Sequence, residues 1–573
     1  MRRLSVLFTA LAVATFVVEV LPAQAPPDTP GRVFEVFSDL AAPVPGTRWP
    51  DVSRGAREQR RRSWQGLLVR TRALASAQVS ADDRLSLGII ERDLIGRLEG
   101  EPFDVYMSPL SAFVNGFHNN IIDTVAALPA RTTTDYEAIV ARLEDVPRYV
   151  DQQIDALSQG LEAGYSQSRR TTSLVAQQLR AQSDSSADAT RLLAAFRSFP
   201  PSISATDQER LRLRGESAYR SGFVPSWRKL YTFLTTTYMA VAREDGGLSQ
   251  LRDGARVYEL LVRRTTSTTL TPREIHDIGL KEIERIETEM LAIARAKGFT
   301  GTLQDYDASL LATPGQVFRS KEEMLAFARD VAMTVAPELP RVFGRLPKTP
   351  FGIRAVAADR EEAASNSYSV APLDGTRAGW VNLRTYQPET YTRGDTRSTT
   401  LHEGVPGHHL HLAIQREQVG VPGFRRTYGL IAFSEGWALY AESLANDMGL
   451  FQDPDSRYGR LAGERFRAAR LVVDTGMHAL AWSRERALDY FKLHAAQSRW
   501  VEIDRYLENP SQALGYKIGE LTFKQLRVDA ERALGSRFDL RAFHDVVLGN
   551  GTLPFDLLRE QVNQYVAKVA QGN

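Results

Sequence analysis

Along most of the chain between Phe34 and Gly344, apolar residues recur three and four positions apart, the period of a helix with one buried face. Over Thr134 to Gly164 the series Ile139, Leu143, Val146, Val150, Ile154, Leu157 and Leu161 predicts a long helix, bent at Pro147. Thr271, Pro272 and Glu274 supply a cap residue, a proline at the first helical position and an acid in the first turn. A second long helix is predicted from there to a Lys297-Gly298 stop. Thr171 to Ser204, rich in Ser, Gln and Ala, and Thr265 to Thr271 read as loops or exposed turns.

Between Leu346 and Tyr386, Pro, Gly and β-branched residues interrupt this period. Ser367 to Pro372 and Gly379 to Leu383 read as short strands joined by Asp374-Gly375, a predicted hairpin. After Arg397 the helical period returns through Phe433 to Asn446, Arg457 to Ala496, Trp500 to Leu507 and Gln512 to Leu534. The expected fold is mainly α and two-lobed, with a small β element. Residues 26–345 form an N-terminal helical lobe and residues 346–573 a lobe that carries the chemistry, both within one continuous fold. There is no repeat of fixed period, no glycine-rich phosphate loop and no G-x-S-x-G serine elbow.

The 573 residues, 43% apolar and 24% charged, suit a globular chain with a sizeable core. A net charge of +2 gives no excess that would draw the chain to nucleic acid or an anionic membrane surface. With no cysteine, thiolate metal sites, cysteine nucleophiles, disulfides and acylation at a cysteine are all excluded, so any metal must sit on His, Asp or Glu. Arg2 and Arg3 precede a mostly apolar run from Leu4 to Val18, and Ala23-Gln24-Ala25 offers small residues for cleavage. Residues 1–25 therefore read as a secretory signal and the protein as exported, periplasmic or secreted. An uncleaved anchor is the alternative, although the run is shorter than the ~20 residues a spanning helix needs.

Four of the nine histidines, His402, His408, His409 and His411, fall within ten residues. His402-Glu403 begins the zinc-hydrolase pattern H-E-x-x-H, in which two imidazoles one turn apart hold the metal and the Glu takes a proton from metal-bound water. The position four residues on is Pro406, which cannot ligate. In an unbroken helix His408 lies about 240° round from His402, and His409 lies ~10 Å along the axis, out of reach of one ion. Pro406-Gly407 must then bend the chain to bring one of His408 and His409 back toward His402. Glu435 and Glu442, seven residues apart on one face of an apolar helix, require a cation and supply the remaining ligand and its surroundings.

These residues resemble a known family. The strings His402-Glu403-Gly404-Val405-Pro406-Gly407-His408-His409, Ser434-Glu435-Gly436-Trp437-Ala438, Asp474-Thr475-Gly476-Met477-His478 and Gln512-Ala513-Leu514-Gly515-Tyr516-Lys517-Ile518-Gly519 look like the bacterial family called domain of unknown function 885. The resemblance covers nearly all the chain after the signal and implies a helical zincin-like peptidase of the gluzincin kind, related in plan to thimet oligopeptidase, the angiotensin-converting-enzyme family and thermostable metallocarboxypeptidases. In those relatives two His and a Glu from the next long helix hold zinc. Glu435 lies 27 residues after His408 and 26 after His409, which agrees with that plan. The resemblance implies His402, His408 and Glu435 as ligands, His409 as the reserve, and Glu442 as the acid that orients a ligand imidazole. His411 stands where members often carry Gln.

Such an enzyme needs a base, an oxyanion donor and a place for the peptide. Glu403 is the base. Tyr516, between Gly515 and Gly519, and His478, four residues after Asp474 and so able to pair with it, are the two candidate donors. Arg470 and Arg505 are candidate anchors for a substrate carboxylate. The predicted hairpin offers an edge for an extended peptide, with Tyr368 beside it and Asn382 adding a side-chain contact. The expected function is zinc-dependent hydrolysis of short peptides. A catalytically silent peptide-binding protein of the same fold, motivated by Pro406, and a metal hydrolase of non-peptide amides or esters are the alternatives.

Overall fold

The computed structural model describes residues 29–41, 48–113, 116–244, 246–357, 361–362, 364–495 and 500–572; the proposed signal, residues 1–25, lies outside them. Among the described residues helices dominate, with one three-stranded sheet. Among the described residues no helix is long and apolar enough to cross a membrane.

The predicted helix over Thr134 to Gly164 is two helices, Thr133–Glu144 and Val146–Glu162. They part at Asp145, whose carboxylate accepts hydrogen bonds from Trp49 N, Arg48 and Arg148, with Pro147 opening the second helix. Thr271 caps Pro272–Ala296 through a reciprocal capping box with Glu274, as the sequence predicts. Thr171 to Ser204 departs from the loop reading. Ser168 caps a helix over Arg169–Ser183, and Val175 and Leu179, four residues apart, are wholly buried. Polar composition masks a narrow apolar face that tertiary packing turns inward.

The sheet holds β1 (Phe351–Ala355), β2 (Ser367–Ser369) and β3 (Gly379–Leu383) in the order β1-β3-β2. β2 and β3 pair antiparallel, Tyr368 opposite Val381, as the hairpin reading requires. β1 adds a parallel partner on the other side of β3. β3 is thus the central strand, and β2 is the edge toward the site.

Six further helices build the site: α1 (Arg393–Glu403), α2 (His408–Arg416), α3 (Ile431–Asp447), α4 (Pro454–Ala479), α5 (Trp500–Glu508) and α6 (Leu514–Leu534). The single helix read over Arg457 to Ala496 ends at Ala479, because Ala481 turns at φ 54° and Trp482 folds back to bond Gly476 O; a new helix starts at Arg484. α3 and α6 cross with backbones almost touching, since a Cβ on Gly436 would lie 2.4 Å from Gly519 Cα. The glycines of the two strings are therefore what lets Glu435 and Tyr516 face the same space. Behind them Lys517, fully buried, reaches Glu464 and Glu520 at 2.6 Å and Glu282 at 2.8 Å, tying α6 to α4 and to helix Pro272–Ala296. A buried ammonium is tolerated only with such partners. One apolar core joins Val33, Leu67 and Leu87 to Leu401, Trp437, Phe523 and Val562, so early and late helices share one interior.

Candidate metal centre

α1 begins at a Thr392 cap and ends with His402 and Glu403 in its last turn. The chain then turns through Gly404-Val405-Pro406-Gly407 and restarts as α2 at His408. The bend required by the sequence is present, though for a reason other than a positive φ. Gly407 has φ −81°, and a Cβ there would meet His402 O at 2.0 Å and Leu401 O at 2.5 Å, so the two arms approach too closely for a side chain. Trp437 of α3 donates its indole N–H to Pro406 O at 3.1 Å and holds the turn from below.

Three side chains converge across this turn. His402 Nε2 and His408 Nε2 lie 3.3 and 3.2 Å from the same Glu435 oxygen, and one donor atom from each residue falls within 4.8 Å of the others. An ion with bonds near 2.0–2.1 Å in tetrahedral array spaces its ligands by about 3.3–3.4 Å. The donors therefore have the chemistry and the spacing to hold a metal ion. On the far side, His402 Nδ1 lies 2.9 Å from Glu442 Oε1, while Ser398 donates to the other Glu442 oxygen and Arg467 stands 3.6 Å away. Ser434 Oγ lies 3.4 Å from His408 Nδ1. Each ring thus has its outer nitrogen held and its inner nitrogen turned to Glu435.

Burial pulls the His402 pKa down, but the Glu435 and Glu442 carboxylates overcome it and hold it up at about 9. Burial works against ionised Glu435 as well, and the His408 and His402 imidazoles still hold it well below the ordinary carboxylate range. Glu403, next to His402 and on the wall of the same cavity, has its pKa raised, chiefly by burial, as suits a group that takes up and returns protons. The cavity measures about 810 Å³ and is also lined by Tyr368, Tyr516, Arg470 and Arg505.

His409 is not in the cluster. Its Nδ1 meets Tyr368 OH at 2.8 Å and its ring lies against Phe351 at 4.3 Å, so it positions Tyr368 on the cavity wall; burial lowers its pKa to about 4. His411 is in the core, Nε2 3.1 Å from Thr552 Oγ1. Tyr516 stacks on His402 at 6.2 Å between ring centres and faces the cavity.

Three of the predicted residues are placed elsewhere. His478 is wholly buried, with Nδ1 accepting from Leu248 N at 2.9 Å and Nε2 donating to Tyr506 O at 3.0 Å, so neither nitrogen is free to serve an oxyanion. Asp474 does not pair with it, because Tyr258 OH and Ser511 N claim its carboxylate, and burial raises its pKa to about 7. Their four-residue spacing is real, but each side chain is satisfied from another element. Asn382, on the central strand, bridges Arg354 Nε and Ser369 Oγ at 2.8 Å each and does not line the cavity.

Not singled out from the sequence were Arg467 and Ser398, which hold Glu442, Ser434, which lies against the outer nitrogen of His408, and Glu502 and Tyr506, which hold Arg470. Glu502, Arg505 and Tyr506 at three- and four-residue spacing on a short helix were the signal available.

Fold and site together define a mainly helical protein with two His and a Glu converging in a cavity wall. The family described as bacterial protein of unknown function (DUF885) matches residues 40–562, and the chain belongs to it. Its structure is similar to that of a candidate lipoprotein from Colwellia psychrerythraea, with 25% identity, a TM-score of 0.86, and coverage of 94% of this chain and 97% of that one. A candidate lipoprotein of unknown function from Shewanella oneidensis shares the fold at 18% identity and a TM-score of 0.70, over 93% of this chain and 96% of that one. None of the curated proteins matches the chain.

Proposed function

We propose that this protein is a zinc-dependent hydrolase of short peptides. The observation that carries the reading is the convergence of His402, His408 and Glu435 with Glu403 beside them on one cavity wall. A zinc ion held by that set, whose nitrogen and oxygen donors suit it, would polarise the scissile carbonyl and acidify water. Glu403 takes the proton from the attacking water and returns it to the leaving amine. The Tyr516 hydroxyl donates to the developing oxyanion. The edge strand β2 and residues 364–366 before it border the cavity, where an extended peptide can add a strand and be held by its backbone, whatever its sequence.

The test is a mixed peptide library incubated with zinc-loaded protein and read by mass spectrometry. New cleavage products that vanish on chelation and return with zinc are expected; zinc-loaded protein that cleaves no peptide contradicts the reading. Glu442→Ala is expected to weaken zinc binding about 10- to 100-fold, because the His402 ring loses the partner of its outer nitrogen. Competition against a chromophoric chelator measures this, and unchanged affinity would remove Glu442 from that role.

We also propose export, on the Arg2-Arg3 and Leu4 to Val18 pattern and the lipoprotein descriptions of the two similar structures. N-terminal sequencing of the mature protein is expected to begin near Ala25 or Pro26; Met1 retained on cytoplasmic protein refutes it.

A further inference from the structure

Among the described residues, the cavity wall at Arg470 and Arg505 carries more positive charge than its partners balance. Arg470 of α4, 6% exposed, lies between two aromatic faces, with its guanidinium carbon 4.4 Å from the Phe466 ring centre and 4.5 Å from that of Tyr516. Its Nε donates to Tyr506 OH at 2.7 Å and one terminal nitrogen to Glu502 at 3.2 Å; the other terminal nitrogen is buried with no partner among the described residues. Arg505 of α5 gives one nitrogen to the same Glu502 at 2.8 Å and another to Gln512 at 2.9 Å. Two guanidiniums therefore share one carboxylate. Tyr506 does not make up the difference, since burial pushes its hydroxyl's pKa upward and keeps it neutral. A buried cation left with an idle donor is costly unless an anion meets it, and a planar fork suits a carboxylate.

Resting on the peptidase reading, we propose that Arg470 and Arg505 bind the free C-terminal carboxylate of the substrate, so that the enzyme cuts near the C-terminal end. The distance argues for the end of the chain. Tyr516 neighbours both sites, 6.2 Å from the His402 ring centre and 4.5 Å from the Arg470 guanidinium carbon, so these last two are no more than 10.7 Å apart. An extended peptide advances about 3.3–3.6 Å per residue. That span holds about three residues at most.

The experiment measures binding by Glu403→Gln protein, which leaves the arginines intact, using N-dansyl-tetraalanine as the free acid, as the C-terminal amide, and as an amide with glutamate in place of the last alanine. The free acid is expected to bind tighter than the plain amide by about tenfold or more, the scale of losing one buried charge partner. Arg505→Gln, at an unchanged melting temperature, is expected to abolish that preference. Equal binding of acid and amide, binding of neither, or a glutamate amide as tight as the free acid would each overturn the assignment. The peptidase reading fails on zinc and turnover, this one on the acid-to-amide ratio, so the two failures are told apart.

Discussion

Glu403→Gln is expected to retain zinc and to lose peptide turnover by about 10²- to 10⁴-fold, the usual contribution of a positioned base. The carboxylate is not one of the three convergent donors, so metal affinity does not depend on it. Its place in the last turn of α1, beside His402 and on the cavity wall, is where a proton acceptor is needed, and its raised pKa shortens the gap to neutral pH. The amide keeps the shape and hydrogen-bonding size of the side chain and has no basicity, so KM should change far less than kcat. Full activity in Glu403→Gln with every cleaved peptide would remove the base from the mechanism.

Substitution of the two adjacent histidines is expected to separate them sharply. His408→Ala removes the nitrogen 3.2 Å from Glu435 and leaves two protein donors where three are needed, so zinc should be lost and activity with it. His409→Ala should keep zinc, because that ring faces Phe351 and Tyr368 on the other side of the turn. What it loses is the 2.8 Å contact that fixes the Tyr368 hydroxyl, and weaker peptide binding with intact metal is the expected phenotype. Metal analysis and steady-state kinetics on both variants check this. Equal, mild effects with zinc retained would exclude both from the metal.

The histidine cluster was legible in the sequence because four imidazoles, a Glu and a chain-bending Pro-Gly are local to one another. The Thr271 cap and the break near Pro147 were legible for the same reason, each being set by residues a few positions apart, and the β2–β3 pairing because its partners lie only 11 to 15 residues apart around a turn. β1 was not, since its parallel partner begins 28 residues on, Phe351 opposite Gly379. Spacing alone left His408 and His409 open; what separates them is where Glu435 and Tyr368 arrive from other elements. The same limit misdirected Asp474 and His478. Four-residue spacing brings side chains near each other on a helix, but Ser511, Tyr258 and Leu248 decide what each one bonds.

The zinc content of purified protein after loading and exhaustive dialysis, compared with Glu435→Ala treated alike, decides whether His402, His408 and Glu435 hold a metal ion. One zinc per chain is expected in the wild-type protein and none in Glu435→Ala. Wild-type protein that holds no zinc, or a Glu435→Ala variant that holds as much, would contradict it.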